Sequence, residues 1–170
     1  MFISHAAEDG EIASALKDYL EALFLGVDVF VSSRDLGGGE VWMKSLQARL
    51  VKARAIVALA TGVSRQNLWV HFEAGAGFAG EKTVPLCADG VSPSSGLLPP
   101  LSLLQARAMT KKGLSDLTRD VARLLGQRRP KTFPGIPKVL KCAERISRER
   151  KGVPAAVVAP PARKSARPRP

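Results

Sequence analysis

Apolar residues along the first 126 positions fall into short continuous runs, separated by stretches in which they recur at helical spacing. Continuous runs are typical of strands covered on both faces, and spacings of three and four residues indicate one face of a helix. Strand and helix alternate five times, which predicts an α/β domain with a parallel sheet and helices on both faces. The predicted strands are residues 2–4, 27–31, 55–60, 83–87 and 103–109.

One carboxylate, Glu73, lies in the segment 64–80, which is rich in aromatic, small and apolar residues. A carboxylate in such a segment is costly to bury unless a partner or a function holds it. Two interpretations are therefore open: a rim carboxylate that points to water, and a functional group. The core face that the spacing predicts for this helix consists of Trp69, Phe72, Ala76 and Ala79.

The expected place of Glu73 in the fold favours a functional role. In open parallel sheets, ligands bind beyond the carboxyl ends of the strands, where the strand order reverses. A flavodoxin-like order places that point between the first and third strands, beside the loops 5–9 and 61–67. Glu73 follows the second loop within about two helical turns.

A literal G-x-G-x-x-G stands at residues 75–80. A dinucleotide-binding fingerprint must directly follow a strand and open a helix. Here the glycines lie inside or at the end of the predicted helix, well past the third strand. Their expected role is close packing of that helix against the sheet, or termination of the helix at Gly80.

The net charge of +11 comes from the last part of the chain. Residues 1–126 contain 13 Lys and Arg and 13 Asp and Glu, whereas residues 127–170 contain 13 basic residues, two acidic ones and eight of the twelve prolines. The sequence therefore predicts a neutral domain, 1–126, and a basic, proline-rich tail, 127–170. An apolar stripe predicts a short helix over 136–147, and composition predicts disorder for the remainder of the tail.

Two interpretations of the tail are open. A weak contact with nucleic acid is the functional one, and a solubilising extension with its helix docked on the domain is the other. The two cysteines, Cys87 and Cys142, have no metal-ligand spacing and fit a reduced cytosol. Neither a signal peptide nor an apolar run of about 18 residues occurs. We therefore expect a cytoplasmic protein without a membrane contact or a bound metal.

Four stretches together resemble a TIR (Toll/interleukin-1 receptor) domain. They are FISH at residues 2–5, DVFVS at 28–32, the glycine-rich loop before Trp42, and WVHFE at 69–73. The resemblance covers roughly residues 1–125 and is closest to bacterial TIR proteins with a W-x-x-x-E stretch. It implies a flavodoxin-like domain of five parallel strands that self-associates through TIR–TIR contacts.

Some members of this family only assemble, whereas others cleave NAD⁺ at the nicotinamide–ribose bond. The resemblance implies that Glu73 is the catalytic residue, that NAD⁺ is a substrate rather than a cofactor, and that the protein serves bacterial anti-phage or stress signalling. Candidate groups for the ribose and phosphates are Ser4, His5, Ser32 and Arg34. Phe30 and Trp69 are candidates for stacking on a base, with a place in the core as the alternative for both rings.

The chemistry of this bond explains why one carboxylate is enough. Nicotinamide leaves NAD⁺ as a neutral molecule, so its departure needs no general acid. The transition state needs a negative group near the developing ribose cation, and no second carboxylate of the glycosidase kind. Three alternatives are open: a TIR adaptor without activity, a Glu-dependent nucleoside deoxyribosyltransferase, and a protein that acts through nucleic-acid binding by its tail.

Overall fold

The computed structural model describes residues 1–31, 40–78 and 80–152 of the chain. Within them, five strands form one sheet: β1 Phe2–Ser4, β2 Phe30–Val31, β3 Ile56–Ala60, β4 Thr83–Cys87 and β5 Arg107–Ala108. The α-helices are α1 Gly10–Leu23, α2 Glu40–Lys52, α3 Leu68–Ala76, α4 Lys111–Leu125 and α5 Ile136–Gly152. Short 3-10 turns occupy Ala7–Asp9, Ser64–Gln66 and Leu101–Leu103.

The strand order is β2-β1-β3-β4-β5, and every neighbouring pair is parallel. This order confirms the predicted α/β fold of the flavodoxin-like type, and it places the reversal between β1 and β3. The edge strands β2 and β5 are two residues long, shorter than the predicted segments 27–31 and 103–109. β5 pairs with Leu86 and Cys87 of β4, so its ladder begins after Pro85, which has no N–H to donate.

Side chains of successive strand residues point to opposite faces of the sheet. On one face, Ile3 and Val57 pack into a core with α1, α4 and α5. On the other face, Phe2 and Ile56 pack with apolar residues of α2. Ser4 follows Phe2 by two positions and therefore points to the face that α2 and α3 cover.

Helix α3 comes very close to the sheet at its carboxyl end. A Cβ added to Gly77 would lie 2.3 Å from Thr83 Oγ1 and 2.6 Å from Ile56 Cδ1, whereas a Cβ on Gly75 would meet open space. Close packing against the sheet, one of the two predicted roles of these glycines, therefore applies to Gly77. The predicted termination at Gly80 was wrong, because α3 ends at Ala76.

The predicted core face of α3 was also wrong. Its buried residues are Val70, Glu73 and Ala74, whereas Phe72 is 48% exposed and Ala76 is exposed. The reason lies in Gly77, since the helix face without a side chain can approach the sheet most closely. The three buried residues share that face with Gly77 at helical spacing. Trp69 is partly buried and Ala79 lies outside the described residues.

Helix α5 packs against α1 and α4. It extends to Gly152, beyond the predicted segment 136–147. Its apolar stripe is part of the main core, with Ile136, Val139, Ala143 and Ile146 buried. The half-buried Cys142 donates a hydrogen bond from Sγ to the carbonyl oxygen of Glu11 on α1 over 3.6 Å. The division of the chain at residue 126 into domain and tail stays a prediction, and residues 153–170 lie outside the described residues.

Candidate active site

Glu73 and Ser4 form a buried pair on the α3 face of the sheet. Both residues are fully buried, and Ser4 Oγ donates a hydrogen bond to Glu73 Oε2 over 2.5 Å. This distance is typical of a hydroxyl group that donates to a carboxylate. Because Ser4 ends β1, the pair lies at the carboxyl end of that strand, next to the reversal of the strand order. Open parallel sheets bind their ligands at this place.

Local hydrogen bonds fix where α3 begins relative to β3. Thr61 Oγ1 accepts from the backbone N–H of Val63 and of Ser64, at 3.2 and 3.1 Å. Ser64 Oγ donates to the carbonyl oxygen of Leu59 at 2.7 Å, which ties the turn back to the strand. Asn67 then caps the helix, because its side chain accepts from the N–H of Trp69 at 3.0 Å. Together these bonds set the position from which α3 carries Glu73 to the sheet.

His5 follows Ser4 directly and is only 5% exposed. Burial lowers its pKa below the ordinary value of 6.5, although its backbone hydrogen bond and the charge of Asp9 act in the opposite direction. The imidazole is therefore neutral at neutral pH. Its Nδ1 has no hydrogen-bond partner among the described residues. A buried polar atom without a partner costs free energy, and a hydroxyl group of a ligand would provide one.

The two aromatic candidates lie on the same side of the sheet as Glu73 but pack mainly against other apolar residues. Phe30 is in register with Phe2, at the amino end of β1, and the two ring centroids are 5.4 Å apart. The guanidinium carbon of Arg49 lies 4.3 Å from the Phe30 ring centroid. Trp69, one turn before Glu73, stacks on Phe72 with centroids 5.3 Å apart. These contacts favour the core interpretation for Phe30.

The structure thus brings two of the predicted site residues, Ser4 and Glu73, into contact at the carboxyl end of β1, and His5 follows Ser4 directly in the chain. Trp69 lies one turn before Glu73 on α3, and Phe30 lies beside the amino end of β1. Ser32 and Arg34 lie outside the described residues, so their contribution stays a prediction.

Sequence reasoning missed a second buried carboxylate beside this site. Asp9 is fully buried, and its Oδ2 accepts a hydrogen bond from Thr61 Oγ1 over 2.8 Å. Its Oδ1 accepts from Arg150 Nη2 on α5 over 2.7 Å. The position of Asp9 in the loop after the first strand was a usable signal. The partner was not predictable, because it lies 141 residues further along the chain.

Other features of the described part do not converge on Glu73. A cavity of about 520 Å³ is lined by residues around β4, β5 and α4, and its Arg107 is paired with Asp120 over 2.8 Å. Ser4, His5 and Glu73 do not line it. In the same part of the chain, no group of three or more His, Cys, Asp or Glu side chains is arranged to hold a metal ion. A helix long and apolar enough to span a bilayer is likewise not found there.

Comparison with known families agrees with the fold. A family model of the TIR domain matches residues 1–125. The chain therefore belongs to the TIR domain family, as its sequence motifs and its strand order indicate. A comparison with curated proteins found no match. Helix α5, which includes Arg150, lies beyond the matched segment.

Proposed function

We propose that this TIR domain is an NAD⁺ glycohydrolase or cyclase that cleaves the nicotinamide–ribose bond. The observation that supports the proposal is a fully buried carboxylate, Glu73, held by Ser4 at the carboxyl end of β1. Keeping a carboxylate in an apolar setting costs free energy, and such groups are concentrated at functional sites. From the family resemblance we further propose a role in bacterial anti-phage or stress signalling.

In the proposed reaction, the bond between ribose and nicotinamide breaks and positive charge develops on the ribose. The Glu73 carboxylate stabilises that charge, and the low dielectric of a buried site strengthens the interaction. Ser4 orients the carboxylate through its hydrogen bond. The neutral His5 offers Nδ1 to a ribose hydroxyl group. In a hydrolase, water then attacks the ribose carbon and releases a proton. In a cyclase, an atom of the remaining ADP-ribose part of the same molecule attacks that carbon instead.

Access to Glu73 requires movement, because its side chain is fully covered. We propose that self-association on α3 assists this movement. Two large apolar side chains of that helix, Leu68 and Phe72, are 85% and 48% exposed and lie one turn apart. The same exposure favours the second candidate function, a TIR assembly module without activity.

The test is base release from NAD⁺ by the purified full-length protein and by Glu73→Gln. This substitution keeps the shape of the side chain and removes its charge. We expect the rate to fall by about 10²–10³, the usual cost of losing one electrostatic contact in a transition state, with the melting temperature unchanged or higher. Glu144→Gln on the exposed face of α5 is the matched control and should cleave normally. Turnover by Glu73→Gln close to that of the control would refute the assignment.

Two further measurements separate the alternatives. Release of a base from a deoxynucleoside, but not from NAD⁺, would identify a deoxyribosyltransferase. Oligomers that form without any base release would identify an assembly module. For the enzyme, specific activity should rise with protein concentration, and Leu68→Asp should abolish that rise while Leu25→Asp, at an 88% exposed position after α1, should not.

A further inference from the structure

Arg150 lies on α5, yet its guanidinium reaches loops at the carboxyl end of the sheet. Nη2 donates to Asp9 Oδ1 over 2.7 Å and to the carbonyl oxygen of Glu8 over 2.8 Å. Nη1 donates to Asp89 Oδ2 over 3.1 Å. The side chains of Asp9, Asp89 and Arg150 are 0%, 11% and 21% exposed. One side chain therefore joins the loop after β1 to the loop after β4.

Asp9 extends this link to the loop after β3. Its second oxygen accepts from Thr61 Oγ1, which itself accepts from the N–H of Ser64 at the start of the turn that leads into α3. Asp89 is held further by Ser147 Oγ of α5, over 2.7 Å. Burial alone would raise the pKa of Asp89, but the hydrogen bonds from Ser147 and Arg150 outweigh it and hold the pKa below its usual range. Three loops are thus tied to one helix.

The Ser4–Glu73 pair is built from segments that this network holds. Ser4 ends β1 and precedes the turn Ala7–Asp9, and Glu73 lies on the helix that follows the loop beginning at Thr61. We propose that Arg150 is a positioning residue for the reaction proposed above: it holds the loops after β1, β3 and β4 so that Ser4 meets Glu73 in the geometry that cleavage needs. This inference rests on the proposed function.

A matched set of variants separates positioning from loss of charge. Arg150→Lys keeps the charge but replaces the planar fork of donors by a single ammonium group, which cannot reproduce the contacts to two carboxylates and a carbonyl. Arg148→Met is the control on the same helix, because its side chain is 82% exposed and its contact to Glu144 is 3.8 Å long. Arg150→Met is the stronger variant, but it leaves Asp9 as a buried charge without its cation and endangers folding.

Kinetics of NAD⁺ cleavage by the full-length protein provide the first readout. Small displacements of reacting groups cost one to two orders of magnitude in rate, so Arg150→Lys should lower kcat about tenfold with little change in KM. Arg148→Met should leave both unchanged. In a Ser4→Ala background, Arg150→Lys should change kcat less than about twofold, because the hydrogen bond through which it acts is gone. Wild-type kcat in folded Arg150→Lys, or an equal loss in both backgrounds, would overturn the inference.

Hydrogen exchange provides a readout that does not depend on activity. The amides of Asp9, Arg65 and Val91 donate to carbonyls within the three tied loops. Their exchange should be about tenfold faster in Arg150→Lys and unchanged in Arg148→Met, while the amide of Leu114 at the start of α4 stays protected in both. A wild-type protein that does not cleave NAD⁺ refutes the proposed function alone. Unchanged exchange at the three loop amides refutes the positioning role in either case.

Discussion

Two glycines of one short motif should respond in opposite ways to the same substitution. Gly77→Ala places a methyl group 2.3 Å from Thr83 Oγ1 and 2.6 Å from Ile56 Cδ1, where ordinary contacts are 3.4–4 Å. Either α3 moves away by about 1 Å or Thr83 rotates. Rotation breaks the hydrogen bond from Thr83 Oγ1 to the carbonyl oxygen of Ala74, which is 3.0 Å long. Ile56 is fully buried and has little room to move.

The expected change in the free energy of unfolding on Gly77→Ala has three contributions. Overpacking costs about 1–3 kcal/mol, and a lost hydrogen bond costs about 1 kcal/mol. The smaller entropy of the unfolded chain returns about 0.4–1 kcal/mol. We therefore expect Gly77→Ala to lower the free energy of unfolding by about 2 kcal/mol, which corresponds to roughly 4–8 °C in Tm for a domain of this size. Gly75→Ala, inside α3 with open space around it, should instead stabilise the protein by about 0.5–1 kcal/mol.

The assay is urea unfolding and thermal melting of both variants, followed by NAD⁺ cleavage. Glu73 lies one turn before Gly77, so a lifted helix lengthens its bond to Ser4. Turnover of Gly77→Ala should then fall by about 10–100-fold at temperatures where it is folded, whereas Gly75→Ala should retain activity. Equal stability of the two variants would refute the close approach of α3 to the sheet.

Three other predictions concern pH, the last helix and the basic residues. Because burial lowers the pKa of His5, its contribution to stability should be complete above pH 6.5 and be lost as the pH falls from there towards the folded-state pKa. The free energy of unfolding, measured from pH 5 to 7, should therefore fall more steeply with decreasing pH in the wild type than in His5→Gln. A protein that ends at residue 126 lacks the four buried residues of α5. Burial of each large aliphatic side chain contributes about 1.5–3 kcal/mol to stability, so this protein should have a far lower Tm than one that ends at residue 152. Nucleic-acid binding by the full chain should be weak, with a log–log salt slope of about 0.9 per phosphate contacted, and binding that persists at high salt would contradict it.

The strands and the place of Glu73 were predictable from sequence because local patterns determine both. Continuous apolar runs identified the strands, and the order of motifs along the chain placed Glu73 after the third strand. The face of α3 was not predictable in this way. Phe72 and Ala76 fit a core stripe by composition, but the absence of a side chain at Gly77 decides which face meets the sheet.

The link between α5 and the carboxyl end of the sheet was hidden for a different reason. Arg150 lies among many basic residues of a charged segment, and nothing in its local sequence distinguishes it from Arg148. Its partners Asp9 and Asp89 lie 141 and 61 residues away. Only the folded chain reveals which arginine is inserted between two carboxylates and which points to water.

Cys142 makes the docking of α5 observable without engineering. The chain has two thiols, and burial raises the pKa of the Cys87 thiol to about 11, so this group stays protonated and unreactive at neutral pH. Cys142 lies at the seam between α1 and α5, where its Sγ donates to the carbonyl oxygen of Glu11. A thiol reagent should therefore label the native protein at one cysteine, Cys142, because this thiol is partly exposed whereas Cys87 is buried. A label at this position lies beside α1 and can therefore report whether α5 is docked on the domain.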